Sequence, residues 1–460
     1  MKQRENILII GAGLCGSLLA LRLAQRGYQV EVYESRPDLR TTDISAGRSI
    51  NLALSDRGLK ALQLAGVEEK AREICIPMRG RLMHDTEGNT FESNYSGREG
   101  EYINSISRGD LNGILLTEAE KHENVNIHFN NKCLGVDIEN KKATFESYKN
   151  KEQFTIEADV IFGTDGAGSS LRKSYEEQYA EFKVSQEFLT HGYKELEIPA
   201  AKGNHQISKD HLHIWPRGDY MLIALPNMDG SFTVTLFLSY SDGKYNFNNL
   251  ITEENIKEFF ESQFPDALEL IPNILEEFEN NPTGKLGTVK CSPWSYKEHT
   301  LLMGDGAHAI VPFYGQGMNA SFEDVVVFDD VLNEYEGDWS KVFSEYEKRR
   351  KQDTDAIADL AIDNYYEMRD HVANPLFKEK RKIEMDLEKN FPTEYFSKYS
   401  LVTFNSAIGY YEAMTKGRAQ DKALLGLVEG HEVSTSLEMS KEELQIVLEK
   451  VKEETNRILK

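Results

Sequence analysis

The chain has 460 residues, of which 53 are basic and 76 acidic, giving a net charge of −23. That length allows two domains, or one large α/β body with an inserted sheet, and a sizeable buried core. The negative charge argues against nucleic acid and anionic membrane surfaces as partners, and it requires any phosphate-bearing cofactor to be held by backbone N–H groups and a few local arginines.

Hydrophobic residues at 40% and charged residues at 28% fit an ordinary soluble globular protein. The four cysteines, Cys15, Cys75, Cys133 and Cys291, are widely spaced and form no C-x-x-C. A zinc site or disulfide framework is not expected, and a reducing compartment is. The first strand starts almost at once, so no signal peptide is expected before it. No apolar run reaches the roughly 18 residues needed to span a bilayer. The expectation is a soluble, cytoplasmic protein with no metal.

In chain order, the apolar run Ile7–Ile10 reads as a strand, GAGLCG (Gly11–Gly16) as a glycine turn, SLLALRLAQRGY as a helix and QVEVYES as a second strand ending near Glu34. Leu18, Leu19, Leu21, Leu23 and Ala24 give the helix its apolar face, and Gly27 is a plausible stop. Arg108–His122 reads as a helix, followed by alternating, strand-like residues through Glu139. EADVIFGTDGAGSSLRK is another apolar strand entering a glycine turn. From about Phe182 to Tyr240 the pattern becomes β-rich, with turns at Arg217-Gly218-Asp219 and Met228-Asp229-Gly230. TLLMGDGAHAIVPFYGQGMNASFEDVVVFDDVL returns to strand, glycine turn and helix. The remainder, from about Tyr346, reads as helical. Its last segment has Ser440 and Glu443 spaced as a capping box, then Leu444, Val447, Leu448 and Val451 on one face.

These elements predict an α/β fold: a doubly wound dinucleotide-binding domain in two parts (1–180 and 291–345), a mainly β substrate domain with an inserted antiparallel sheet (181–290) and a helical C-terminal region (346–460).

GAGLCG matches G-x-G-x-x-G with a strand before it and a helix after it. Gly11 permits the tight turn, Gly13 lets the backbone approach a pyrophosphate and Gly16 lets helix and strand pack closely. The helix N-terminus offers N–H groups and a favourable dipole. Glu34, 18 residues after Gly16, can accept from ribose hydroxyls and would repel a 2′-phosphate, which favours FAD or NAD over NADP at this site. Two later segments separate FAD from NAD. Asp165 and Asp305 each end an apolar run with an Asp-Gly pair and can accept from ribityl hydroxyls. A helix starting at Gly317, Met318 and Asn319 can present N–H groups to the flavin pyrimidine edge.

Together the three segments resemble the class A flavoprotein monooxygenases, the family of para-hydroxybenzoate hydroxylase. No separate Rossmann unit for NADPH is visible, as expected for that class. GRSINLALSDRG (47–58), IPMRGRLMHD (76–85), HGYKELEIP (191–199), LHIWPRGDYMLIALPN (212–227), VPFYGQGMNASFED (311–324) and NYYEMRDHV (364–372) resemble, more narrowly, the kynurenine 3-monooxygenases. The resemblance covers residues 1 to about 410.

It implies an NADPH-dependent flavoprotein that hydroxylates L-kynurenine to 3-hydroxykynurenine with dioxygen through a flavin hydroperoxide, in tryptophan degradation. The ring amine activates the ortho position without ionising, so no general base is obligatory. The chemistry is carried by the flavin, and no catalytic side chain is expected. The resemblance places the substrate carboxylate on Arg81 rather than the nearby Arg79, with Tyr95, Asn364 and Tyr399 as further contacts. Phe313 and Tyr314 are candidate walls for the ring. For FAD it implicates Cys15, Tyr33, Glu34, Ser35, Arg36, Ala53, Arg108, Cys133, Ser170, Asp305, Met318 and Asn319. Cys15, Ala53 and Cys133 would act through backbone or shape, and Arg108 through its charge. His308 is given a structural role only.

Two alternatives stay open: a related FAD hydroxylase with another aromatic substrate, and a flavin-binding, redox-responsive partner protein. The oligomeric state, including a homodimer, is also open. The charged C-terminal helix stands where membrane-bound members carry an apolar tail. It can be a mobile lid over the substrate pocket, or a helix packed permanently on the surface or at a dimer contact.

Overall fold

The computed structural model describes residues 5–41, 51–335, 337–367, 375–430 and 439–460. Gly47–Ile50 and Met368–Val372, parts of two motifs read in the sequence, lie outside the described residues. The chain forms two compact units. Unit 1 comprises Met1–Cys75, Ile106–Phe188 and Gly287–Ala358; unit 2 comprises Ile76–Ser105, Leu189–Leu286 and Asp359–Lys460.

Unit 1 is built on a six-stranded sheet in the order Ser295–Tyr296, Thr300–Leu302, Val160–Gly163, Asn6–Ile10, Gln29–Tyr33, Val125–His128. All neighbours are parallel except the short edge strand Ser295–Tyr296. Asn6–Ile10 is buried at its last four positions. This is why it reads as a continuous apolar run rather than an alternating one: a parallel strand covered on both faces has no solvent side. The helix Leu14–Gln25 follows, and Gly27, at φ +87°, lies just past its end, where its N–H donates to Ala24 O. Asp329, on the helix Gly317–Glu334, accepts from Arg26 Nε at 2.7 Å and Arg22 Nη2 at 3.0 Å. Those ion pairs fasten the first nucleotide helix to the last. The alternating stretch after the helix Arg108–Ala119 forms Asn131–Asp137 in a three-stranded antiparallel sheet with Lys142–Ser147 and Gln153–Glu157.

Unit 2 carries most of a seven-stranded sheet in the order Thr283–Ser292, Lys183–Ile198, Phe232–Ser239, Met221–Pro226, His211–Pro216, Gly80–His84, Thr90–Asn94. Its described pairings are antiparallel with one exception. Gly80–His84 runs parallel to His211–Pro216, from Gly80↔His211 to Met83↔Ile214. The inserted sheet is therefore mixed rather than purely antiparallel. The same pairing draws residues 76–105, assigned from the sequence to the nucleotide-binding part, into unit 2. Trp215, Leu222, Phe232, Val234 and Leu236 form its core with Phe259, Phe260 and Phe264.

The C-terminal segments of unit 2 are helical: Pro375–Asn390, Lys398–Thr403, Tyr410–Glu429 and Lys441–Leu459. The last of these has the expected capping box, with Ser440 Oγ accepting from Glu443 N–H and Glu443 accepting from Ser440 N–H. Its Leu444, Val447, Leu448 and Val451 are buried in a cluster with Ile383, Leu387, Leu424 and Val428. Among the described residues no helix is long and apolar enough to cross a membrane.

Candidate functional site

The glycine loop of unit 1 is shaped by steric limits. Gly11 has φ +98°, and a Cβ on it would lie 2.8 Å from Asp165 Cα. A Cβ on Gly16 would lie 2.0 Å from Gly11 O and 2.5 Å from Thr164 Oγ1. Neither position accepts a side chain. A Cβ on Gly13 would meet only Arg36 Nη2, at 4.0 Å, so the backbone there borders open space. Gly13 is also the N-cap of the helix Leu14–Gln25, and no side chain caps it. Such a helix start directs its first N–H groups outward, as a pyrophosphate requires.

Glu34 directly follows the second strand, Gln29–Tyr33, and is buried. Its Oε2 accepts from Ala12 N–H at 2.8 Å, and its Oε1 accepts from Arg36 N–H at 2.9 Å, Arg36 Nε at 2.8 Å and Ser35 Oγ at 3.2 Å. Burial pushes the carboxyl pKa up, but the hydrogen bonds and charge of Arg36 outweigh it and hold Glu34 below the usual range. The carboxylate thus fixes the loop at Ala12 and places an arginine beside Gly13. Tyr33 stacks on His128 and Phe145 at 4.5 and 4.4 Å between ring centroids.

The second glycine turn brings Asp165, Ser170 and Cys133 together. Asp165 Oδ2 accepts from Ser170 N–H at 2.5 Å, while its buried Oδ1 makes no hydrogen bond. Ser170 Oγ donates to the carbonyl of Cys133 at 3.0 Å. The Cys133 thiol is pushed up to about 12 by burial, with Asp165 adding to the effect. It is an inert thiol, and its backbone carbonyl is fixed by Ser170.

In the third segment Asp305 opens the short helix Asp305–His308. Its side chain is solvent-accessible, yet crowding by protein pushes its carboxyl pKa up, and Arg108 is close enough to oppose this. Cys15 packs under the turn: a Cβ on Gly304 would lie 3.0 Å from its sulfur. Pro312–Tyr314 is a 3-10 turn with Phe313 and Tyr314 buried, closed by Gly315 at φ +68°. The helix Gly317–Glu334 has no side-chain cap, and Ala320 N–H is the donor that first reaches back, to Gln316 O. Gly317, Met318 and Asn319 precede that bond. Asn319 donates from Nδ2 to Ala53 O (2.8 Å) and Gly315 O (3.0 Å) and accepts from Ser55 N–H at 3.0 Å, tying the strand Asn51–Leu54 to the turn.

Uncapped helix starts, an open backbone at Gly13, an orphaned buried carboxylate oxygen on Asp165, and Arg36 and Arg108 as local cations fit the parts of FAD. Sequence reasoning missed the element that holds the third segment. Asp324 is fully buried; it accepts from Gly304 N–H at 3.0 Å and Arg350 Nε at 2.8 Å, and its Oδ2 lies 2.6 Å from His308 Nε2. Glu323, beside it, pairs with Arg350 at 2.6 Å and Arg57 at 2.5 Å. The two adjacent acids in ASFED were the available signal. His308 thus engages an internal carboxylate.

In unit 2, the strand Gly80–His84 carries Arg81. Its guanidinium carbon lies 5.4 Å from the Tyr95 ring centroid and 4.8 Å from that of Tyr399. The two rings are near-parallel, 5.5 Å apart with 10° between planes. Burial pushes both phenols up, against the pull of Arg81, so both are protonated at neutral pH. Arg79, two residues earlier, is exposed. Asn364 is buried near the end of the helix Trp339–Tyr366, in the same unit. The structure therefore gathers Arg81, Tyr95 and Tyr399 in unit 2, and the glycine-loop, Asp165 and Asp305 residues, with Phe313 and Tyr314, in unit 1.

A parallel sheet with a glycine cradle and two Asp-Gly turns defines an FAD-binding flavoprotein. Residues 4–361 match the family described as FAD binding domain. Two solved structures share the fold. 2-Methyl-3-hydroxypyridine-5-carboxylic acid oxygenase has a TM-score of 0.64 at 20% identity, covering 83% of this chain and 97% of that one. p-Nitrophenol 4-monooxygenase PnpA from Pseudomonas putida DLL-E4 has a TM-score of 0.64 at 17% identity, covering 85% and 95%. Curated relatives narrow the class. A kynurenine 3-monooxygenase of Legionella pneumophila (strain Corby) is 45% identical over 91% of this chain and 92% of its own length. Another, of Myxococcus xanthus (strain DK1622), is 46% identical over 93% and 92%. The chain belongs to the kynurenine 3-monooxygenase family.

Proposed function

We propose that the protein hydroxylates L-kynurenine to 3-hydroxykynurenine with NADPH and dioxygen, as a cytoplasmic enzyme of tryptophan degradation. The observation that carries this reading is Arg81 set beside the stacked pair of Tyr95 and Tyr399, with its guanidinium carbon 5.4 and 4.8 Å from their ring centroids. A planar guanidinium packed beside two stacked aromatic rings has its fork-shaped donors confined, which suits bidentate capture of a carboxylate. The neutral phenols add hydroxyl donors without competing negative charge. In a chain of net charge −23 that local arrangement is what permits an anionic group to bind.

FAD supplies the oxygen activation and the redox chemistry when bound. The protein holds it. The N–H groups of the helix starting at Leu14, with Arg36 nearby, would take the pyrophosphate, and Glu34 the ribose. Asp305, Asp165 and Ser170 would meet the ribityl and phosphate portions, and the N–H groups of Gly317, Met318 and Asn319 the flavin pyrimidine edge. Tyr33, Ser35, Ala53, Cys15 and Cys133 would shape the cradle, with Arg108 offsetting phosphate charge. Arg81, Tyr95, Asn364 and Tyr399 would bind the amino-acid end of the substrate.

The test is Arg81→Ala. The expected variant purifies yellow, with full FAD, and binds L-kynurenine at least about tenfold more weakly, the loss of a charge-assisted bidentate contact. Unchanged kynurenine affinity would remove Arg81 from the site.

A further inference from the structure

The two stacked tyrosines beside Arg81 come from distant parts of unit 2. Tyr95 follows the strand Thr90–Asn94, and Tyr399 lies in the helix Lys398–Thr403. Nothing in either segment alone fixes the ring spacing of 5.5 Å. A third element holds both. Glu388, on the helix Pro375–Asn390, is 0% exposed. Its Oε2 accepts from Gly97 N–H at 3.0 Å and Ser96 Oγ at 3.2 Å. Its Oε1 accepts from Ser397 N–H at 2.8 Å, with Arg98 Nη1 at 3.2 Å. One carboxylate therefore receives the N–H two residues after Tyr95 and the N–H two residues before Tyr399.

Two observations show that this contact is close and directional. A Cβ on Gly97 would lie 2.2 Å from Met385 O, so the loop after Tyr95 sits flush on the helix backbone. From the same helix, Arg381 Nη2 donates to Tyr95 O at 2.8 Å and Asn94 O at 2.9 Å. Ser397, for its part, caps the helix that carries Tyr399, accepting from Ser400 N–H. Burial pushes the Glu388 carboxyl pKa up, but the hydrogen bonds it accepts outweigh this and keep it ionised. A buried carboxylate that receives several donors at once is costly to replace, because each donor would lose its partner.

We propose that Glu388, assisted by Arg381, is a positioning residue that holds the stacked pair of Tyr95 and Tyr399 in place beside Arg81 and thereby sets affinity for the substrate's carboxylate. Resting on Arg81 as the carboxylate site, this assigns recognition of that group to a helix that need not touch the substrate. In Glu388→Gln the side-chain amide turns a donor toward Gly97 or Ser397, and one of the two clasps opens.

The experiment uses FAD-loaded enzyme with L-kynurenine and with kynuramine, the same amine lacking the carboxylate. For Glu388→Gln the expected result is a KM for L-kynurenine raised about tenfold or more, with FAD content and kcat near wild type. Affinity for kynuramine should be unchanged, so that discrimination between the two collapses. Glu388→Asp, which retains the charge, should recover part of the loss. A purely structural role would lower the active fraction and leave KM and discrimination where they were, and that result overturns the proposal. If Glu388→Gln does not fold, Arg381→Met decides: a raised KM for L-kynurenine supports the clasp and an unchanged one overturns it. Wild-type enzyme that fails to bind L-kynurenine would overturn the substrate reading and the clasp together. Wild-type binding with unaltered variants overturns the clasp alone.

Discussion

His308 Nε2 lies 2.6 Å from Asp324 Oδ2, with both residues buried. The same carboxylate holds Gly304 N–H and Arg350. Burial raises its pKa, but His308 and Arg350 outweigh burial and hold Asp324 below the usual carboxylate range. Asp324→Asn keeps the shape and removes the charge. Arg350 retains Glu323, so the cost should fall near the lower end for a broken buried pair, about 3 kcal/mol. Denaturant unfolding of the holoenzyme measures this, and weaker retention of FAD should accompany it because Gly304 precedes Asp305. A variant as stable as wild type would show that the buried charges are not coupled as the distances imply.

The glycine loop gives a contrast between two single substitutions. Gly13→Ala adds a Cβ whose nearest neighbour is the flexible end of Arg36 at 4.0 Å, at φ −70°, a backbone angle alanine tolerates. It should fold with near-native stability and lose flavin on gel filtration, since only the cofactor's approach is obstructed. Gly16→Ala drives a Cβ to 2.0 Å from Gly11 O, backbone that cannot swing aside. It should destabilise the protein by more than about 3 kcal/mol, beyond ordinary overpacking, or prevent folding. Equal stability of the two variants would contradict the packing described for this turn.

Unit 2 should weaken in acid through His213. The residue is fully buried, 2.9 Å from His84 Nε2 and 2.7 Å from Ser208 O. Burial, aided by His84 and His211, lowers its pKa from 6.5 to about 4. The unfolded chain therefore binds the proton that the folded one refuses, and stability falls as pH drops from about 7 towards 4. The loss attributable to this residue is at most about 3 kcal/mol. Denaturation midpoints across that range should show a shallower pH slope in His213→Gln than in wild type. Identical slopes would place the acid sensitivity elsewhere.

Local features were legible in the sequence, because their signal lies within a few residues. The strand, GAGLCG turn and helix stand where the spacing put them, Gly27 follows the helix end, and Ser440 and Glu443 make their capping box. The parallel pairing of Gly80–His84 with His211–Pro216 was not legible, since its partner strand lies more than a hundred residues on and neither strand's periodicity encodes direction. It moved residues 76–105 from the nucleotide-binding part to the second unit. Glu388 and Asp324 escaped for a related reason. In an acidic chain a glutamate or aspartate within a helix reads as a solvated surface residue, and only the tertiary fold shows that each is buried and surrounded by donors. Arg81, Tyr95 and Tyr399 were reached by family resemblance, and composition alone would not have singled them out.

The most direct measurement is coupled turnover. Purified FAD enzyme is given NADPH and dioxygen with and without L-kynurenine, and NADPH loss, oxygen uptake and product are followed together. The expected result is NADPH oxidation stimulated by L-kynurenine, with one 3-hydroxykynurenine formed per NADPH consumed. Consumption that ignores L-kynurenine, or that yields peroxide and no hydroxylated product, would contradict the assignment of this flavoprotein as a kynurenine hydroxylase.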